Sequence, residues 1–173
     1  MQRSTETRFR DIYERHRADI TLYVRRRVAP DSVDDVVAET FLVCWRKLDR
    51  VPREPLPWLY AVARKTLANH HRATARHPRA PYRRADEAFS PIEDDHVLAR
   101  AFARLSEPDR EVLRLVAWEH LSLRDAAKAL GCSHVACRVR FHRARRRLAS
   151  QLEQFEQPAA AAEARTHPEG ATQ

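Results

Sequence analysis

Two glycines in 173 residues constrain this chain more than any other feature. Tight β-hairpins need residues at positive φ in their turns, and a protein of many short strands needs many such turns. With only Gly131 and Gly170 to serve them, the sequence argues against a hairpin-rich β fold. Apolar residues instead recur at the 3.6-residue period of helices. The expected fold class is therefore all-α. Aromatic residues make up 8% of the chain against 32% charged ones, so the core must come mainly from Leu, Val and Ala.

The first helical pattern covers residues 6–28, with Phe9, Ile12, Tyr13, His16, Ile20, Tyr23 and Val24 on one stripe. Ala29-Pro30 ends it, because proline disfavours helix at the preceding residue. Asp31 or Ser32 is placed to cap a second helix running to residue 48. Its apolar stripe is Val33, Val36, Val37, Phe41, Cys44, Trp45 and Leu48, and its other face carries Asp34, Asp35, Glu39 and Arg46. Residues 49–57 hold Pro52, Pro55 and Pro57 and read as a loop. A third helix follows over 58–73, burying Trp58, Leu59, Val62, Ala63, Thr66 and Leu67.

Periodicity fails over 74–95, where prolines separate a basic half from an acidic half, which is the composition of a linker. Helices resume over 97–105 and 109–119. Ser106 is a fitting N-cap for the second of these and Pro108 suits its first turn. Beyond Glu156 no core-forming pattern remains, and a disordered tail is expected. The resulting division is a first unit over 6–73, a flexible linker over 74–95, a second unit over 96–153 and a tail over 154–173.

The segment LSLRDAAKALGCSHVACRVRFHRARRRL carries the strongest local signal. A short helix over 122–130, opened by Ser122 as a cap and with small alanines that permit close crossing, stops at Gly131. A longer helix over 133–152 then opens at Ser133. Short helix, glycine turn and longer helix form the helix-turn-helix layout. In the longer helix Cys137, Phe141, Ala144, Leu148 and Leu152 share the inward face. The outward residues are rich in arginine, and no acidic residue occurs from Cys132 to Gln151. A helix fits the major groove, and its first turns reach base edges. Ser133, His134, Ala136, Arg138, Val139, His142 and Arg143 are the candidate readers, with Arg145 and the later arginines on phosphates. A formal net charge of +8, mostly arginine, agrees with a polyanionic partner.

Other chemistry finds little support. No glycine-rich phosphate loop, nucleophile elbow or paired catalytic carboxylate stands out, so no enzyme and no cofactor are expected. Cys132, His134, Cys137 and His142 could be read as a metal or redox cluster, but the cysteine spacing is unlike a zinc knuckle and Cys137 should face inward. There is neither a secretory leader pattern nor a membrane-spanning stretch, so a cytoplasmic protein without membrane insertion is expected.

Together, SVDDVVAETFLVCWRKL followed by PWLYAVARKTLANHHR, and AFARLSEPDREVLRLVAWEHLSLRDAAKALGCSHVACRVRFHRARRRL further on, resemble the two blocks of small bacterial RNA polymerase sigma factors. The group is the extracytoplasmic-function (ECF) branch of the sigma-70 family. The resemblance implies two small helical domains, a region 2 bundle and a region 4 helix-turn-helix, joined by a flexible linker. It implies core RNA polymerase as partner, through the β′ coiled coil and the β flap, together with promoter DNA and a possible anti-sigma factor. Asp34, Asp35, Glu39, Thr40, Phe41, Trp45 and Arg46 match the polymerase-gripping helix, although Phe41 and Trp45 suit a core role equally well. Arg50, Arg53, Trp58, Arg64, Lys65, Asn69 and Arg72 match the part that opens and reads the −10 element, with Trp58 also a good core residue. The helix from Ser133 would read the −35 element. The rival reading is a two-domain helix-turn-helix regulator that works without being a polymerase subunit. It leaves the acidic face of Asp34 and Asp35 and the proline loop before Trp58 without a purpose.

Overall fold

The structure is a computed structural model that describes residues 2–76 and 96–163; all regular structure among them is helical. Seven α-helices are described: α1 Gln2–Arg25, α2 Val33–Arg46, α3 Leu56–Arg76, α4 His96–Ala103, α5 Glu107–Ala117, α6 Leu123–Leu130 and α7 His134–Glu163. The region expected to be a linker lies mostly outside the described residues.

α1, α2 and α3 form one bundle. The stripe on α1 is buried as its spacing requires, with Ile20 and Val24 fully enclosed and Tyr23 nearly so. α2 contributes Val33, Val36, Val37, Phe41 and Cys44, and α3 contributes Leu59, Tyr60, Val62, Ala63 and Leu67. α1 gives way to a turn after Arg25, and Pro30 opens a 3-10 turn, Pro30–Ser32, that leads into α2. Ser32 occupies the N-cap position of α2 but makes no side-chain cap bond, contrary to expectation; the 3-10 turn already positions the chain. Arg8 closes the other end of the bundle, donating to the carbonyls of Leu48 at 3.0 Å and Val51 at 2.6 Å. These bonds hold the proline loop against α1.

α4 to α7 form the second bundle. The expected caps are present: Ser106 Oγ accepts from Asp109 N, Ser122 Oγ from Asp125 N at 3.1 Å, and Ser133 Oγ from Ala136 N at 3.1 Å. Each such cap stabilises its helix by about 1 kcal/mol. Gly131 has φ 68° and ψ 36°. Its N–H bonds Lys128 O at 3.2 Å while Cys132 N bonds Ala127 O at 3.0 Å, the paired bonds of a Schellman ending. Ala126, Ala127 and Ala129 are buried, which lets α6 approach α5 and α7 closely. α7 extends to Glu163, well past the end expected for the second unit. The first part of the segment expected to be a disordered tail is therefore helical; residues 164–173 lie outside the described residues.

The two bundles pack against one another, with α3 contacting α6. At the seam is a cluster of buried charges. Tyr23 Oη donates to Glu111 Oε1 at 2.7 Å, and Arg27 Nη2 donates to Glu111 Oε2 at 3.2 Å. The Arg27 guanidinium also lies 3.6 Å from the centre of the Tyr23 ring. Glu119 completes the cluster, 3.0 Å from Arg26 and 3.5 Å from Arg27. The side chains of Arg27, Glu111 and Glu119 are 8%, 9% and 2% exposed, so none of this is a solvated surface pair.

Candidate nucleic-acid interface

Three surfaces carry the residues that the sequence singles out. The first is the outer face of α2. Asp34, Asp35, Glu39, Trp45 and Arg46 are exposed there. Asp34 and Asp35 sit in the first turn, where negative charge complements the helix dipole. Trp45 is 42% exposed, so it is not the core residue its stripe suggested. Its ring meets Phe9 edge-on at 5.2 Å, and Leu42 stands exposed on the same helix. Thr40 differs from expectation in the opposite sense, while Phe41 takes the core role its stripe gave it. Thr40 is fully buried and donates to Val36 O at 2.8 Å, while Phe41 packs edge-on against Tyr13. Neither belongs to a docking surface; they support it from beneath.

The second surface is formed by the proline loop and α3. Arg50, Arg53, Lys65, Asn69 and Arg72 are exposed, and Arg72 Nη2 donates to Asn69 Oδ1. Trp58 is half-buried against the core, consistent with its second reading. Pro57 falls inside the first turn of α3 rather than in the loop, as proline's tolerance at helix starts allows. Arg64 is the exception on this surface. Its Nη2 donates to the carbonyl of Leu130 on α6 at 3.2 Å, so the second bundle holds it.

The third surface is the N-terminal half of α7. Cys137 and Ala144 are fully buried and Phe141, Leu148 and Leu152 partly so, which confirms the inward face. Ser133, His134, Ala136, Arg138, Val139, His142, Arg143 and Arg145 are all exposed. Val135 at 60% and Val139 at 41% are large apolar groups left open beside the arginines. That mixture suits a groove with thymine methyls and phosphates in reach. Arg147 stands apart from the other outward arginines of α7: it pairs with the buried Asp109 and ties α7 to α5.

The structure therefore brings the outward face of α7 together as one basic surface and displays the acidic-aromatic face of α2 separately. Among the described residues no group of three or more His, Cys, Asp or Glu side chains could hold a metal ion. Burial pushes the Cys44 and Cys137 thiols up to about 11.

Comparison with known proteins agrees with this arrangement. Residues 12–77 match the family model for sigma-70 region 2, and residues 95–148 match that for sigma-70 region 4. The ECF RNA polymerase sigma factor SigC of Mycobacterium tuberculosis is 32% identical over 134 residues, covering 70% of this chain and 71% of that protein. The chain belongs to the sigma-70 family, in its ECF group. The RNA polymerase sigma factor NccH of Alcaligenes xylosoxydans xylosoxydans is 29% identical over 161 residues, covering 84% of this sigma factor and 87% of NccH. The solved structure of CnrH in complex with the cytosolic domain of CnrY is 29% identical and superposes with a TM-score of 0.63, covering 89% of this chain and 90% of that one. As a sigma factor, the protein directs core RNA polymerase to promoter DNA, which sets aside the free-standing regulator. No helix among the described residues is long and apolar enough to cross a membrane.

The residues that the sequence reading passed over are those at the seam. Glu111 looks like an ordinary surface charge of its helix. Val112, Leu113, Leu115 and Val116 form an apolar arc that covers less than half of α5 and leaves Glu111 outside it, so no local pattern marks this carboxylate as buried.

Proposed function

We propose that this sigma factor divides its work among the three surfaces. Asp34, Asp35, Glu39, Trp45 and Arg46 grip the β′ coiled coil of the polymerase, with carboxylates meeting basic groups and Trp45 supplying an aromatic anchor. Arg50, Arg53, Lys65, Asn69 and Arg72 hold the opened −10 segment, joined by Arg64 and Trp58. Opening a promoter requires one strand to be kept out of the duplex, with phosphates on cations and bases on planar groups. The α7 face, from Ser133 and His134 through Ala136, Arg138, Val139, His142 and Arg143 to Arg145, reads the −35 element. The working units are residues 6–73 and 96–153, with 74–95 as the tether between them.

The observation that carries this reading is the outward face of α7. It is a continuous exposed arginine-bearing surface, free of acidic residues, opening directly from a Schellman turn and a serine cap. Catalysis belongs to the polymerase; the chain itself contributes positioning, in the cytoplasm. A further partner is an anti-sigma factor that takes this chain out of circulation; CnrH was solved in complex with the cytosolic domain of CnrY.

The test is run-off transcription with purified core polymerase on a pool of promoter fragments. Specific start sites that require both the chain and the core are expected. If the chain binds one DNA motif unaided and core adds no start sites, the division of work is wrong.

A further inference from the structure

Lys65, Asn69 and Arg72 follow one another on α3 at spacings of four and three, which puts them on one strip of the helix. All three are exposed, on the surface assigned above to the −10 element. Their side chains differ in what they can offer a base. Lysine and arginine have donors only, whereas the asparagine amide has both donors and an acceptor. An asparagine free to use both suits adenine, accepting from N6 and donating to N7.

Asn69 is not free in that sense. Arg72 Nη2 donates to Asn69 Oδ1 at 2.5 Å. Arg72 is itself tethered, because its Nε donates to the carbonyl of Ala68, one turn back, at 3.2 Å. A guanidinium has no acceptor, so the amide atom that faces it is the oxygen, and the orientation of the Asn69 amide is fixed. Nδ2 is then the end of the amide open to a base. Oδ1 keeps a second lone pair, but an amino group approaching it also meets the Arg72 cation. The strip as a whole presents donors.

We propose that Arg72 is a positioning residue: by holding Oδ1 it turns Asn69 into a donor, and Asn69 then selects guanine over adenine at one position of the −10 element. Guanine presents two adjacent acceptors, O6 and N7, where adenine sets an amino group beside N7. Against this strip the guanine O6 finds a donor, while the adenine amino group is left facing donors and a cation. A buried donor without an acceptor is costly, so the discrimination comes as much from rejecting adenine as from holding guanine. The inference rests on the assignment of α3 to the −10 element proposed above, and adds to it the base that the strip prefers.

Run-off transcription by the full chain with core polymerase, on a promoter library randomised through the −10 element, reads this preference position by position. With the unaltered chain, one position should favour guanine over adenine by about tenfold, the range of a well-placed base contact. Asn69→Ala should bring that ratio close to one and leave the other positions as they were. Arg72→Leu should move the ratio towards adenine at the same position, because the freed amide can pair with adenine. On the Asn69→Ala background, Arg72→Leu should change the ratio no further. The same shift with and without Asn69 would mean that Arg72 reads the base itself. An equal fall in transcription on every sequence would mean that it holds only a phosphate. Either result overturns the inference, as does a set of −10 preferences that Asn69→Ala leaves untouched. If the unaltered chain gives no specific start sites with core, the promoter-reading assignment fails and this inference falls with it.

Discussion

The hydroxyl of Tyr23 donates to Glu111 Oε1 at 2.7 Å, linking the first bundle to the second across 88 positions of sequence. Burial holds the Tyr23 hydroxyl well above its ordinary pKa, so it remains a donor at any working pH. Burial alone would lower the pKa of Arg27, but Tyr23, Glu111 and Glu119 outweigh it and keep the guanidinium charged. For Glu119 the balance goes the other way: burial raises its pKa more than Arg27 and Arg26 lower it. The two directions are compatible, because Arg27 is shared between two carboxylates.

Removing single members of this cluster should therefore hurt more than removing them together. Arg27→Met removes the cation that Glu111 and Glu119 share, although Arg114 at 3.9 Å and Arg26 at 3.0 Å remain beside them, and a loss of about 3 kcal/mol in urea unfolding is expected. Tyr23→Phe removes one hydrogen bond to a charged group and should lose about 2 kcal/mol. A chain with Arg27→Met, Glu111→Leu and Glu119→Leu should recover much of the first loss. Additive losses in that chain would mean that the charges do not act as a unit.

The two kinds of arginine on α7 should separate in salt titrations. Arg138→Ala and Arg143→Ala should each lower the magnitude of the log K against log salt slope by about 1, provided the bound complex includes core. Arg147→Ala should leave that slope unchanged, because its guanidinium pairs with Asp109. Its effect should appear as about 1 kcal/mol of lost stability, modest because the Arg147 side chain is 61% exposed.

Gly131 tests the backbone alone. A Cβ added there meets nothing within 4 Å, so Gly131→Ala carries only the strain of φ +68°. A loss of about 1 kcal/mol in thermal unfolding follows, and Gly131→Asn should lose less. A much larger loss would mean that the turn is held by contacts rather than by conformation.

The thiols should react in a fixed order. Cys44 and Cys137 are buried with pKa values of about 11, while Cys132 is partly exposed. At pH 8 a thiol reagent should label Cys132 first and reach the others only on unfolding, as mass spectrometry would show. The raised folded values also fix the sign of the pH effect. The stabilisation from keeping these thiols neutral is present below the ordinary value of 9.0 and is lost as pH climbs towards about 11. Stability rising across that window would contradict the burial of both.

Local rules carried the reading of the sequence a long way. The glycine turn, the three serine caps and the inward face of α7 depend on neighbours a few residues apart, and each appears in the structure as its spacing implies. Trp45 was harder, because it lies at the edge of the α2 stripe, where a small rotation of the helix exchanges core for surface. Thr40 lies inside the stripe, between Val36 and Cys44, and only its polar hydroxyl hid that. The paired roles of Arg27 and Glu111 could not be read at all. They depend on two bundles meeting across a segment that carries no helical periodicity, and no local pattern encodes which charged residue will meet which.

Hydroxyl-radical footprinting of one promoter, with the chain alone, with core alone and with both, tests the central claim most directly. Protection at two separate patches, present only when chain and core are combined, is the predicted result. The same two patches protected by the chain alone would contradict the sigma-type division of labour.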